Sequence, residues 1–178
     1  MRYTTTSLND CWLIQPHFIA DERGSFMETY QQESFHEKIG SVHFIQDNEA
    51  QSNYGVTRGL HFQKGKDAQA KLIRVIEGRI IDIVVDLRPT SSTYLKSLRL
   101  ELSAENKKQL FVPKGFAHGY AVISKRATVL YKVDAPYSPK SESGFSPHDP
   151  YFSFDWGIPR EVQQINQRDL NWPKYVKG

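Results

Sequence analysis

The chain has 178 residues, 39% of them hydrophobic and 12% aromatic, which suits one domain with a real core and excludes a disordered protein. Its formal net charge is only +3, with lysines and arginines scattered rather than run together, so bulk charge makes no case for nucleic acid or a membrane surface. Room remains for an anionic small substrate held by a few placed cations.

From the N-terminus, Met1-Arg2-Tyr3-Thr4 lacks the apolar core of a signal peptide, and no run approaches membrane-spanning length. The expectation is a soluble, cytoplasmic protein. Cys11 is the single cysteine, which excludes an intrachain disulfide framework and a Cys-based zinc site. With no His or Cys beside it, Cys11 reads as a small buried side chain. Asp21 and Arg23-Gly24-Ser25-Phe26-Met27-Glu28 mix both charge signs around a glycine turn, as a surface hairpin does. Residues 31–39 predict the one convincing helix, with Phe35 and Ile39 on one face and Gly40 closing it.

Strands are predicted over 44–52, 56–62, 71–77, 79–87, 98–102, 109–112, 120–123 and 128–133. Ile81, Ile83, Val85 and Leu87 alternate with Asp82, Val84 and Asp86, and Leu98, Leu100 and Leu102 alternate with Arg99 and Glu101. Such alternation marks strands with one buried face. Gly78 gives a tight connection between two of them. Many short strands without interleaved helices mean an all-β sandwich or barrel with one or two short helices, not a parallel α/β sheet. From Pro136 onward the chain reads as ordered loops and short turns, with Trp156 sealing a core edge. The whole of 1–178 is one domain: an arm over about 1–30, a barrel over about 42–135 and a loop region over 136–178.

Arg58-Gly59-Leu60-His61-Phe62-Gln63 carries the densest chemical signal, with Lys71 on the next strand. A strand histidine half-enclosed by apolar neighbours, near a lysine that could stabilise an anion, outlines an acid–base site beside a carbonyl. The same residues also fit a satisfied core histidine and a solvated lysine. Pro113-Lys114-Gly115-Phe116-Ala117-His118-Gly119-Tyr120 brings a second histidine out of a sharp turn. No His-x-His pair and no His/Glu set at ligand spacing accompanies His61, so no metal site is expected. Tyr131 fits a cross-strand packing aromatic, and Asp169 a solvated carboxylate or helix cap.

Together these patches have a resemblance. Asp21-x-Arg23-Gly24-x-Phe26-x-Glu28, Gln46-Asp47-Asn48, Arg58-Gly59-Leu60-His61-Phe62-Gln63, Ala70-Lys71-Leu72, Leu102-Ser103-Ala104-Glu105-Asn106-Lys107, Pro113-x-Gly115-Phe116-Ala117-His118-Gly119 and Leu130-Tyr131-Lys132 run in one order. They resemble the dTDP-4-dehydrorhamnose 3,5-epimerases, metal-free members of the cupin superfamily, from about residue 12 to residue 173. The resemblance implies a cupin-type jelly roll and a dTDP-4-keto-6-deoxyhexose substrate inverted at C3 and C5. It implies His61 as the base, Asp169 as its dyad partner, Lys71 on the enolate oxygen and Tyr131 as the opposite-face acid. No cofactor is implied, because the ketone is itself the electron sink.

For substrate binding the same resemblance assigns Arg23, Glu28, Gln46, Asn48, Arg58 and His118, with Tyr137 and Glu142 toward the base or ribose. Arg168 stands where the family often has a basic residue beside the dyad aspartate. Asp82 is the alternative carboxylate for one of the histidines. The resemblance also implies a homodimer whose N-terminal arm reaches over its neighbour and supplies Arg23 and Glu28 to the partner's pocket. Phe145-Ser146-Pro147-His148-Asp149-Pro150 and a short tail after Asn171-Trp172-Pro173 depart from the family pattern. Other readings are a single-carbon epimerase on a related sugar, a non-catalytic sugar-nucleotide-binding cupin, and a metal-dependent oxygenase, which lacks its ligands.

Overall fold

In the computed structural model, which describes residues 1–175, the alternating segments pair into antiparallel sheets. In chain order the elements are β1 (Arg2–Thr5), β2 (Trp12–Gln15), β3 (Phe18–Asp21), β4 (Gly24–Met27), α1 (Gln32–Lys38), β5 (Gln46–Asn53), β6 (Thr57–Gln63) and β7 (Lys71–Glu77). There follow β8 (Arg79–Asp86), β9 (Ser97–Ser103), β10 (Gln109–Val112), β11 (Phe116–Val122), β12 (Arg126–Val133), β13 (Glu142–Gly144) and α2 (Gln167–Leu170). One sheet has the order β1-β2-β10-β7-β12-β5, a second β13-β6-β11-β8-β9, and β3-β4 forms a separate hairpin. This is the all-β jelly-roll sandwich with two short helices that the sequence leads one to expect.

The strand periodicity explains how the layers meet. Ile73, Val75, Leu110, Val112 and Val129 of the first sheet pack against Ile80, Val84, Leu102 and Val122 of the second. The opposite face of the first sheet is covered by α1, whose Phe35 packs on Ile14, Leu72 and Phe111. Phe35 is 1% exposed, a burial that contributes roughly 2–3 kcal/mol. Gln31 caps this helix by accepting the Ser34 N–H through Oε1 at 2.6 Å. Cys11 is buried as expected, and burial pushes its thiol up to about 12. Among the described residues, no helix is long and apolar enough to cross a membrane.

Three details correct the sequence reading. First, β1 and β2 extend the first sheet, so the opening residues belong to the sandwich and only the β3–β4 hairpin projects. Second, β13 adds an edge strand to the second sheet from within the region read as loop. Third, β8 is buried on both faces rather than one. Its Ile81, Ile83 and Val85 are covered by Leu60, Ala117, Ala121 and Trp156, with Phe145, Phe152 and Phe154 alongside. Trp156 closes this second core, as expected, and donates Nε1–H to Pro147 O at 2.9 Å. Asp82 and Asp86 therefore point inward, where each needs a partner.

Asp86 finds its partners locally. Its carboxylate accepts from Arg88 Nε at 2.9 Å and Nη2 at 2.8 Å, Ser91 Oγ at 2.6 Å and Thr93 Oγ1 at 2.7 Å. Arg88 also donates to Asp10 Oδ2 and Asn9 O, so the cluster ties the N-terminal turn to the β8–β9 loop. Burial alone would push the Asp86 carboxyl up, but the donors of Arg88, Ser91 and Thr93 outweigh it and hold it at about 2. A depressed folded-state value stabilises the fold above the ordinary 3.8, and the benefit is lost as pH falls through about 2. We expect Asp86→Asn to cost about 2–3 kcal/mol at neutral pH. Urea unfolding as a function of pH should show that gap closing below the ordinary carboxylate value. A gap that persists undiminished in acid would mean that the charge of Asp86 contributes nothing.

Candidate active site

Where β6 crosses β11, the pairing slips. His61 stands opposite His118, yet Arg58 rather than Gly59 stands opposite Tyr120, a bulge on β6. Gly59 occupies it with φ +110°, and a Cβ there would fall 2.6 Å from Gly119 Cα and 2.7 Å from His118 O. Only glycine fits this close approach of two backbones. The bulge has a chemical consequence. In a regular strand, residues three apart face opposite ways, yet Arg58, His61 and Gln63 all line one cavity.

That cavity, about 480 Å³, lies between the sheets. The second sheet supplies Arg58, His61 and Gln63 from β6, His118 from β11 and Glu142 from β13. The first sheet faces them with Gln46 and Asn48 from β5, Lys71 from β7 and Tyr131 from β12. Arg168 of α2 and Tyr137 complete the rim. Lys71 and Tyr131 sit on neighbouring strands, paired through Val133 and Ile73.

Asp169 lies just behind His61. Asn166 caps α2 by accepting the Asp169 N–H through Oδ1 at 2.7 Å, which turns the Asp169 side chain toward β6. Its Oδ1 is 2.7 Å from His61 Nε2, and its Oδ2 accepts the Gly59 N–H at 3.1 Å. Asp169 is fully buried while the His61 side chain remains 22% exposed. Burial would raise the Asp169 carboxyl. The hydrogen bond and charge of His61, the Gly59 N–H and the charge of Arg168 together hold it below the ordinary range. With Asp169 a carboxylate, Nε2 carries the proton that it shares, and the lone pair falls on Nδ1.

His118 has its own carboxylate, since its Nε2 lies 2.8 Å from Asp82 Oδ2. Asp82, fully buried, thus partners His118, and Asp169 partners His61. Burial pushes the Lys71 ammonium down, against the charges of Asp82 and Glu142. Burial raises the Tyr131 phenol, against the charge of Arg58, so Tyr131 keeps its proton at neutral pH. At the mouth, Tyr137 Oη donates to Glu142 Oε2 at 2.8 Å, and Arg168 Nη1 donates to the same oxygen at 2.8 Å. Gln46 Nε2 donates to Asn48 Oδ1 at 2.7 Å, and Arg58 donates to Ser52 Oγ.

The structure therefore gathers His61, Lys71, Tyr131, Gln46, Asn48, Arg58, His118, Tyr137, Glu142 and Arg168 around one cavity, with Asp169 behind it. Arg23 and Glu28 are not brought to it. Arg23 is bound to Asp21 on the β3–β4 turn, its side chain 84% exposed. Gln63 and Tyr120, which lie inside the sequence motifs without an assigned role, and Gln69, which lies outside them, also line the cavity. Gln63 stands two residues after His61 on β6, a spacing that alternation offers in a strand, whereas Gln69 precedes β7 and offers no such signal. Among the described residues, no three His, Cys, Asp or Glu side chains converge as metal ligands do.

Comparison with known proteins places this arrangement. A family model described as dTDP-4-dehydrorhamnose 3,5-epimerase matches residues 5–177. The dTDP-4-dehydrorhamnose 3,5-epimerase of Methanothermobacter thermautotrophicus is 44% identical over 96% of this chain and 92% of its own. The crystal structure of the enzyme of that name from Elizabethkingia anophelis superposes with a TM-score of 0.95 at 47% identity, covering 98% of this chain and 96% of the other. The dTDP-6-deoxy-D-glucose-3,5-epimerase of Legionella pneumophila, solved in complex with dTDP-4-keto-L-rhamnose, superposes at 0.89 with 36% identity, covering 99% of each chain. The match of sequence and fold over nearly the whole length shows that the chain belongs to the dTDP-4-dehydrorhamnose 3,5-epimerase family.

Proposed function

We propose that this chain is a nucleotide-sugar epimerase that inverts C3 and C5 of dTDP-4-dehydro-6-deoxy-D-glucose to give dTDP-4-dehydro-L-rhamnose. One observation carries the reading: His61 and Tyr131 face a single cavity from opposite sheets, with Lys71 beside Tyr131. Inversion requires removal of a proton from one face of a carbon and its return from the other. A base on one wall and an acid on the facing wall meet that requirement. The 4-keto group acidifies both neighbouring carbons. In the gluco configuration their hydrogens are axial on the same side of the ring, so one base can serve both.

In this account Nδ1 of His61 takes the proton while Nε2–H stays on Asp169, whose charge stabilises the imidazolium. Electron density moves onto O4, where the Lys71 ammonium stabilises the enolate. Tyr131 then donates from the other face. Arg58 has the planar fork suited to a diphosphate, and Gln46, Asn48 and His118 supply further polar contacts. Incubation with the keto sugar should yield a product whose ring proton couplings report both inversions, and turnover should survive exhaustive chelation. Recovery of unchanged sugar would remove the reading, and a requirement for one metal ion per chain would remove the lysine–enolate step.

The active unit on this reading is a homodimer. Phe18, Ile19 and Phe26 of the β3–β4 hairpin are 41%, 52% and 69% exposed, an apolar surface that a second chain would cover. The same hairpin and its flank carry Arg23 and Glu28, away from their own cavity. Mixing inactive Arg23→Ala chains with inactive His61→Ala chains should restore activity, because a heterodimer holds one intact pocket. Sedimentation as a monomer at micromolar concentration, or no rescue after verified subunit exchange, would contradict a shared site.

A further inference from the structure

Arg168 stands between two carboxylates at the mouth of the cavity. Its Nη1 donates to Glu142 Oε2 at 2.8 Å and its Nε to Asp169 Oδ1 at 3.4 Å. Its Nη2 lies 3.5 Å from His61 Nε2. That nitrogen already shares its proton with Asp169, so the contact is a cation held against the ring rather than a hydrogen bond. Tyr137 fixes the same Glu142 oxygen from the rim at 2.8 Å. The Glu142 side chain is only 13% exposed, so its charge is poorly screened by water.

The arrangement poses an electrostatic problem. When His61 takes a proton, it becomes a cation beside a guanidinium. Like charges at this spacing repel strongly enough to weaken a base several-fold. A carboxylate on the far side of the guanidinium offsets that repulsion. We infer that Glu142 sets the proton affinity of His61 through Arg168, as a positioning counter-charge beyond any contact that it makes with substrate. The kinetic consequence rests on the epimerase reading above, whereas the charge linkage itself exists in the free protein.

The other charged or titratable groups facing His61 are Asp169 from α2, His118 from β11 with Asp82 of β8 behind it, Lys71 from β7, Tyr131 from β12 and Arg58 from its own strand. Changing Glu142 or Arg168 leaves these side chains in place, although Arg168 also acts on Asp169 and Glu142 on Lys71. The linkage is therefore read from the opposite signs of the two single-variant shifts and from their cancellation in the double variant. A purely structural role would not give shifts of opposite sign.

The test is an NMR titration of the His61 ring in protein carrying carbon-labelled histidine, its signal assigned by disappearance in His61→Asn. Glu142→Gln should lower the titration midpoint by about half to one pH unit, a roughly three- to ten-fold loss of proton affinity. Arg168→Gln should raise it by a comparable amount. The double variant should return close to the unaltered protein. The acid limb of kcat/KM for the keto sugar should move with the midpoint in each case. Midpoints that stay put, or that move the same way in both single variants, would overturn the inference. A changed KM with an unmoved midpoint would assign Glu142 to substrate contact alone and would overturn it too. Failure of the epimerase reading would show as absent turnover, and the ring titration would still decide the linkage.

Discussion

His61→Ala loses proton removal at both carbons while the protein stays folded. General-base catalysis contributes roughly 10²–10⁴-fold, so turnover should fall by at least about 10²-fold. The fold should survive for a local reason. Asp169, left without its imidazole, keeps the Gly59 N–H and the Arg168 guanidinium, so the buried charge is not orphaned. The ring itself is partly exposed, and its loss leaves no sealed void in either core. Circular dichroism and unfolding curves should match the unaltered protein within a few kcal/mol. A variant that still exchanged deuterium at nearly the original rate would mean that some other group is the base.

Tyr131→Phe separates two activities that His61→Ala removes together. The base and the Lys71 ammonium remain, so the enolate should still open and solvent hydrogen should still enter from the His61 side. Return from the opposite face should be lost, and net inversion should fall about 10²-fold or more. Exchange at C3 should persist within about an order of magnitude. Burial raises the phenol, so the group removed is a proton-bearing one at neutral pH. Phenylalanine preserves the ring that packs beside Ile73 and Val129, which keeps the comparison clean. Equal loss of exchange and inversion would make Tyr131 a shaper of the cavity rather than its acid.

Much of this architecture is legible in the sequence because burial is periodic. The strands around Gly78 and the helix capped at Gln31 follow directly from the spacing of apolar residues. The misreadings have physical causes. Acidic residues alternating along β8 look like a solvent face, but the chain from Phe145 to Ile158 covers the other side and turns Asp82 and Asp86 inward. Strand β11 is buried throughout, so it shows no alternation and the sequence predicts only its second half. Strands β1, β2 and β13 are too short to establish a period.

The site was legible unevenly for similar reasons. His61 and Gln63 share a face by ordinary alternation, but Arg58 joins them only because Gly59 forms a bulge. The pairing of Asp169 with His61 spans 108 residues of chain. Nothing local to Asn166-Gln167-Arg168-Asp169 announces it, and only the family resemblance singled it out. The choice between Asp82 and Asp169 needed three dimensions, because two histidines on adjacent strands each have a buried carboxylate within 2.8 Å.

The most direct test of the whole account is incubation of the unaltered protein with dTDP-4-dehydro-6-deoxy-D-glucose in D2O, with deuterium located by NMR. The account predicts label at both C3 and C5, in a product whose configuration is inverted at each. Absence of label at either carbon, with the sugar bound and recovered unchanged, would contradict it and leave a pocket that binds the nucleotide-sugar without acting on it.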